Sequence, residues 1–108
     1  MNTGTIVLIP FPFAELTNIK VRPAIIASTT KDKYQDLILC AVSSVVPLNP
    51  GPFEILLHPN KLNNLRVPSI IKTDRIVTLK KDDVIATLGT ISGNEINHFK
   101  KQFKALVD

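Results

Sequence analysis

The 108-residue sequence contains one cysteine, Cys40, and no tryptophan. A lone thiol closes no intrachain disulfide, so the chain suits a reducing compartment, and the cytoplasm is the expected location. Only four glycines are present (Gly4, Gly51, Gly89 and Gly93), and they do not cluster, which excludes a glycine-rich phosphate cradle. The two histidines, His58 and His98, have no cysteine or carboxylate at ligand spacing, so neither a metal nor another cofactor is expected. No nucleophile elbow is found. No apolar run approaches the roughly 20 residues of a membrane span, and Thr5–Ile9 reads as a strand, not as the core of a signal peptide.

What is present fits one domain, residues 1–108, with 44% hydrophobic residues and enough length for a real core. Thirteen Lys and Arg against nine Asp and Glu give a net charge of +4, which favours an acidic or polyanionic partner. Lys100, Lys101 and Lys104 sit where a terminal helix dipole would accept them in any case. Lys20, Arg22, Lys72 and Arg75 carry more weight, because they flank strands.

Alternation and turn signals predict strands over Thr5–Ile9, Val21–Ser28, Leu37–Val46, Phe53–His58, Pro68–Lys72, Arg75–Leu79 and Asp83–Thr90. Pro10 to Lys20 is a loop with a turn at Thr17-Asn18, and Thr29 to Asp36 is a polar, hairpin-like connection. Three prolines between Pro47 and Pro52 exclude a central strand there, and the asparagines of Pro59 to Leu65 mark another loop. Short strands at this spacing predict a mainly β fold, a small barrel or sandwich. The period then changes. Ser92 and Glu95 form a capping box, and Ile96, Phe99, Phe103 and Leu106 make one apolar stripe on a helix laid across the barrel.

Two places in this frame invite chemistry. Pro23 gives up its N–H and biases Arg22 towards extended geometry, which holds a guanidinium at a strand entrance where it can grip a phosphate. The apolar run Leu37–Val42 ends in Ser43 and Ser44, and strand alternation sends these to opposite faces, so one of them at most faces a given site. A bland reading stands beside each: Arg22 as a salt-bridge partner, a strand-end serine as a backbone hydrogen-bonder. Cys40 reads as buried and inert.

Taken in order, Gly4–Phe13, Lys20-x-Arg22-Pro23, Leu39–Ser44, Pro68–Leu79 and Leu88–Ser92 with its helix resemble the MazF/PemK family of toxin endoribonucleases. The resemblance spans nearly the whole chain. It implies an SH3-like barrel with a C-terminal helix, working as a homodimer. It also implies metal-independent cleavage of single-stranded RNA at short motifs, leaving 2′,3′-cyclic phosphate and 5′-OH ends, and neutralisation by a cognate antitoxin. Arg22 matches the family's catalytic arginine, and Ser43 the place of its catalytic threonine, with the hydroxyl kept and the χ1-restricting methyl lost. Asp74 matches a position that is usually acidic, and the resemblance counts it among the RNA-binding residues. In that setting Lys20 makes a phosphate contact, while Phe11 and Phe13 are either core plugs or stacking platforms for bases. The rival on the same barrel is a non-enzymatic toxin of the CcdB type, which binds DNA gyrase through its C-terminal residues. The ending Ala105–Asp108 lacks the aromatic and glycine residues that rival would need.

Overall fold

The structure, a computed structural model, describes residues 2–11 and 20–107. It contains β1 (Thr5–Pro10), β2 (Val21–Thr29), β3 (Leu37–Ser43), β4 (Glu54–Leu57), β5 (Ser69–Leu79), β6 (Ala86–Thr90) and a helix, α1 (Gly93–Ala105). The strands pair antiparallel in one sheet, in the order β4-β5-β3-β2-β1-β6, curled into a half-barrel. Phe13 and the Thr17-Asn18 turn lie outside the described residues.

Both faces of the central strands are covered, which is why β2 and β3 read as near-continuous apolar runs. One cluster holds Ile6, Ile25, Cys40, Val42 and Ile71 and is capped by Phe99 of α1. The alternate residues, Val7, Ile9, Ala24, Ile26, Leu37 and Leu39, form the second cluster with Val77. The capping box is made on both sides: Ser92 Oγ accepts from Glu95 N at 3.2 Å, and Glu95 Oε1 accepts from Ser92 N at 2.8 Å. Phe99 is enclosed, whereas Phe103 and Leu106 remain half-buried, with the Phe103 ring 5.9 Å from that of Phe99.

Several boundaries differ from the sequence reading, each for a local reason. β3 stops at Ser43 and not Val46, because Ser43 Oγ takes the Val45 N–H (3.1 Å) and the chain bends at Ser44. The two strands expected over 68–79 are one strand with a bulge. Cys40 pairs with Ile76 while the next residue, Ala41, pairs with Lys72, so 73–75 fall outside that ladder. The bulge is tied down on three sides. Thr73 N donates to Phe53 O (2.9 Å), its Oγ1 donates to Gln102 Oε1 (2.7 Å), and its carbonyl accepts the Cys40 thiol (3.3 Å). β4 is trimmed to Glu54–Leu57, and β6 begins at Ala86, since Lys81–Asp83 form a single 3-10 turn instead.

The 29–36 connection is a hairpin closed by Thr30 N donating to Asp36 O at 2.8 Å. Inside it, Asp32 Oδ1 accepts from Thr30 Oγ1 and from the Tyr34 and Gln35 amides, and these bonds, that from Thr30 foremost, lower its pKa. The segment after β4 closes the gap between the sheet edges. Thr90 N donates to Leu62 O (3.1 Å), and Asn64 Nδ2 donates to Leu88 O (2.6 Å). That approach needs Gly89: a Cβ there would lie 2.2 Å from Leu62 O. No helix among the described residues is long and apolar enough to cross a membrane.

Candidate functional site

Register places the chemistry-bearing residues of three strands on one face. Ala24 pairs with Ala41, and extending that ladder by two residues sets Arg22 of β2 beside Ser43 of β3. On the other side of β3, Ala41 pairs with Lys72 of β5. Directly opposed residues of antiparallel strands share a face, as do residues two apart. Arg22, Ser43 and Lys72 therefore project together, with the small side chains of Ala24 and Ala41 between them.

They open into a groove of about 790 Å³. Its lining carries five cations, Lys20, Arg22, Arg66, Lys72 and Arg75, and no aspartate or glutamate among the described residues. Lys72 is half-buried and the other four are exposed. Low-dielectric walls around charges of one sign concentrate the field, so the groove attracts an anionic chain. The same lining includes buried Ala41 and Val42 and half-buried Leu8 and Leu88. Among the described residues, the Arg22 side chain makes no hydrogen bond or ion pair.

Ser43 has a backbone role and retains a further one. Its oxygen accepts the Val45 N–H, which leaves the hydroxyl proton free to donate. That accepted bond also polarises the hydroxyl and strengthens it as a donor. Ser44 lines the same groove, contrary to the expectation that alternation would send it to the other face. The reason is the bend that ends β3 at Ser43, after which the period of two no longer applies.

Phe11 is half-buried, packs against the second core cluster and also lines the groove. Its N–H donates to Lys20 O at 3.0 Å, which fixes both residues at the groove mouth. Asp74 is exposed on the β5 bulge and does not line the groove. Its carboxylate acts elsewhere: burial first, then Asp74, push the Cys40 thiol up to about 12, so Cys40 stays protonated and unreactive. No three His, Cys, Asp or Glu among the described residues gather as a metal site would require.

Arg66 escaped the sequence reading, which weighed only cations flanking predicted strands. It emerges from the segment after β4, two residues before Pro68. The asparagine cluster upstream was the available signal, because Asn60 and Asn63 fold that segment into a fixed shape.

Residues 2–107 match a family model described as PemK-like, MazF-like toxin of type II toxin–antitoxin system. No curated protein matches the chain. Among solved structures, a similar one is an endoribonuclease in complex with its cognate antitoxin from a mycobacterial species. The TM-score is 0.67 at 18% identity, covering 96% of this chain and 94% of that chain. At that identity the likeness is one of fold.

Proposed function

Because the chain belongs to the PemK-like, MazF-like family of type II toxin–antitoxin toxins, we propose that it is an endoribonuclease cutting single-stranded RNA at short motifs without a metal ion. The observation that carries this reading is the groove in which Arg22, Ser43 and Lys72 share a face and no carboxylate among the described residues opposes them.

In the reaction, a ribose 2′-oxygen attacks the adjacent phosphorus and the P–O5′ bond breaks. A 2′,3′-cyclic phosphate and a 5′-OH end result. The 2′-OH gives up its proton and the departing O5′ gains one. Charge accumulates on the nonbridging oxygens in the transition state, and donors aimed at them lower the barrier. Arg22 supplies a two-pronged cationic donor, and Ser43 supplies its remaining O–H. A guanidinium is a poor base at neutral pH, so the part given to Arg22 is charge stabilisation. Lys20 contacts the strand without regard to sequence, and Phe11 presents a ring for a base. A homodimer and a cognate antitoxin belong to the same proposal. An acidic extended peptide suits a basic groove as RNA does, so the two would compete.

Incubating the protein with a mixed-sequence RNA in EDTA, then sequencing the cut ends, tests activity and motif together. Cleavage with cyclic-phosphate ends is expected, and intact RNA would overturn the reading. Arg22→Ala is expected to abolish cleavage while shifting Tm by no more than about 3 °C, as for an exposed residue outside the core. A collapse of Tm in that variant would make Arg22 structural.

A further inference from the structure

Arg66 reaches the groove from a segment with more order than a loop ordinarily needs. Asn60 Oδ1 accepts the amides of Leu62 (2.9 Å) and Asn63 (2.8 Å). Asn63 is fully buried; its Oδ1 accepts the amides of Asn60 (3.1 Å) and Leu65 (3.0 Å), and its Nδ2 donates to His58 O (2.9 Å). The bonds from Thr90 N to Leu62 O and from Asn64 Nδ2 to Leu88 O then fasten the segment to β6. The last of these locks lies one residue before Arg66. Its backbone is therefore pre-set, and a ligand meeting its guanidinium need not order the chain first.

We infer that Arg66, with Arg75 in the β5 bulge, forms a second phosphate subsite that holds the strand at a phosphate other than the one being cleaved. The inference rests on the ribonuclease reading above. Arg66 and Arg75 arise from elements separate from the β2–β3 edge that carries Arg22 and Ser43, yet both line the same groove. A guanidinium fork fits a phosphate or a carboxylate. The half-buried apolar side chains of Leu8 and Leu88 in the same lining favour a nucleic-acid strand, whose bases turn inward while its phosphates follow the rim. Arg66 is a binding residue in this scheme; it touches the strand and takes no part in bond breaking.

The test is the salt dependence of binding to a 2′-O-methyl RNA strand, which cannot be cut, followed for wild type, Arg66→Ala, Arg66→Lys and Lys61→Ala. Each phosphate contact on a single strand adds about 0.7 to the slope of log K against log salt. Arg66→Ala is expected to lower the slope by about 0.7 and to weaken binding roughly tenfold at low salt, while Arg66→Lys restores the slope. Lys61 is exposed on the same segment but does not line the groove, so Lys61→Ala should leave the slope unchanged. On cleavable RNA, Arg66→Ala should raise KM and spare kcat.

Equal slopes for wild type and Arg66→Ala, or an equal loss in Lys61→Ala, would overturn the subsite. So would a loss seen only with polyglutamate, which would assign Arg66 to an acidic peptide. If wild type binds the strand with the Arg66-dependent slope but cuts no RNA, the subsite stands and the nuclease reading falls. If wild type cuts RNA and Arg66→Ala keeps its slope, the reverse holds.

Discussion

At Ser43, one hydroxyl makes a structural bond and, in the proposed reaction, also serves the chemistry. The oxygen is occupied by the Val45 amide, so the side chain ends β3 and creates the bend that brings Ser44 into the groove. The proton is left over, and in the proposed reaction it goes to a phosphate oxygen as a hydrogen bond. Ser43→Ala removes both contributions, and losing one donor to a developing oxyanion costs about 10²- to 10³-fold in kcat. Ser43→Thr keeps the hydroxyl and restricts χ1, so it should retain or raise activity. Single-turnover cleavage rates for the two variants check this: equal rates for Ser43→Ala and wild type would confine Ser43 to its structural bond. Cys40 shows the converse, a nucleophile disarmed by its surroundings, since burial and the Asp74 carboxylate keep it a thiol.

At the scale of elements, the informative feature is the segment after β4. A half-barrel leaves two sheet edges, β4 and β6, and exposed edges invite unwanted pairing. The asparagine-folded segment covers the β6 edge through Leu62 O and Asn64 Nδ2. Gly89 is the residue that allows this contact, because the Leu62 carbonyl occupies the space a side chain would fill. Gly89→Ala must push backbone away from backbone, an overpacking strain of about 1–3 kcal/mol. Tm should fall accordingly, and amide exchange should speed up first at Thr90, whose N–H faces Leu62 O. If the strain displaces Arg66 as well, cleavage weakens beyond what the lost stability explains. An unchanged Tm would mean the contact is slack.

Across the whole molecule, one sheet separates two apolar clusters, and the helix covers the first together with Leu65 of the segment after β4. Phe99 is its plug, buried among residues from β1, β2, β3, β4 and β5. Phe99→Ala should cost about 3–5 kcal/mol, a large part of the ~5–15 kcal/mol that stabilises a domain. Urea unfolding would show a midpoint shifted far down; a shift worth under about 1 kcal/mol would show that α1 is dispensable to the core. The same helix reaches the groove indirectly. Gln102 accepts the Thr73 hydroxyl inside the bulge, and that bulge carries Arg75, which lines the groove with Lys72.

The strands, the capped helix and the turn at 29–36 were legible in order along the chain. Each depends on local rules: alternation, capping spacing, and the proline that biases its neighbour. Residues 2–107 match a family model in that same linear order. The gathering of Lys20, Arg22, Arg66, Lys72 and Arg75 was not legible. It follows from sheet register, from a bulge held by Gln102 some 29 residues away, and from a loop seated against Gly89. Ser44 was misplaced, and Arg66 overlooked, for one physical reason. Alternation describes a strand only while its ladder continues, and the direction of a loop side chain is decided by the distant backbone that holds the loop. Composition and pattern therefore determined the kind of fold and the first residue to mutate, whereas long-range hydrogen bonds and packing decided the shape and the charge of the groove around it.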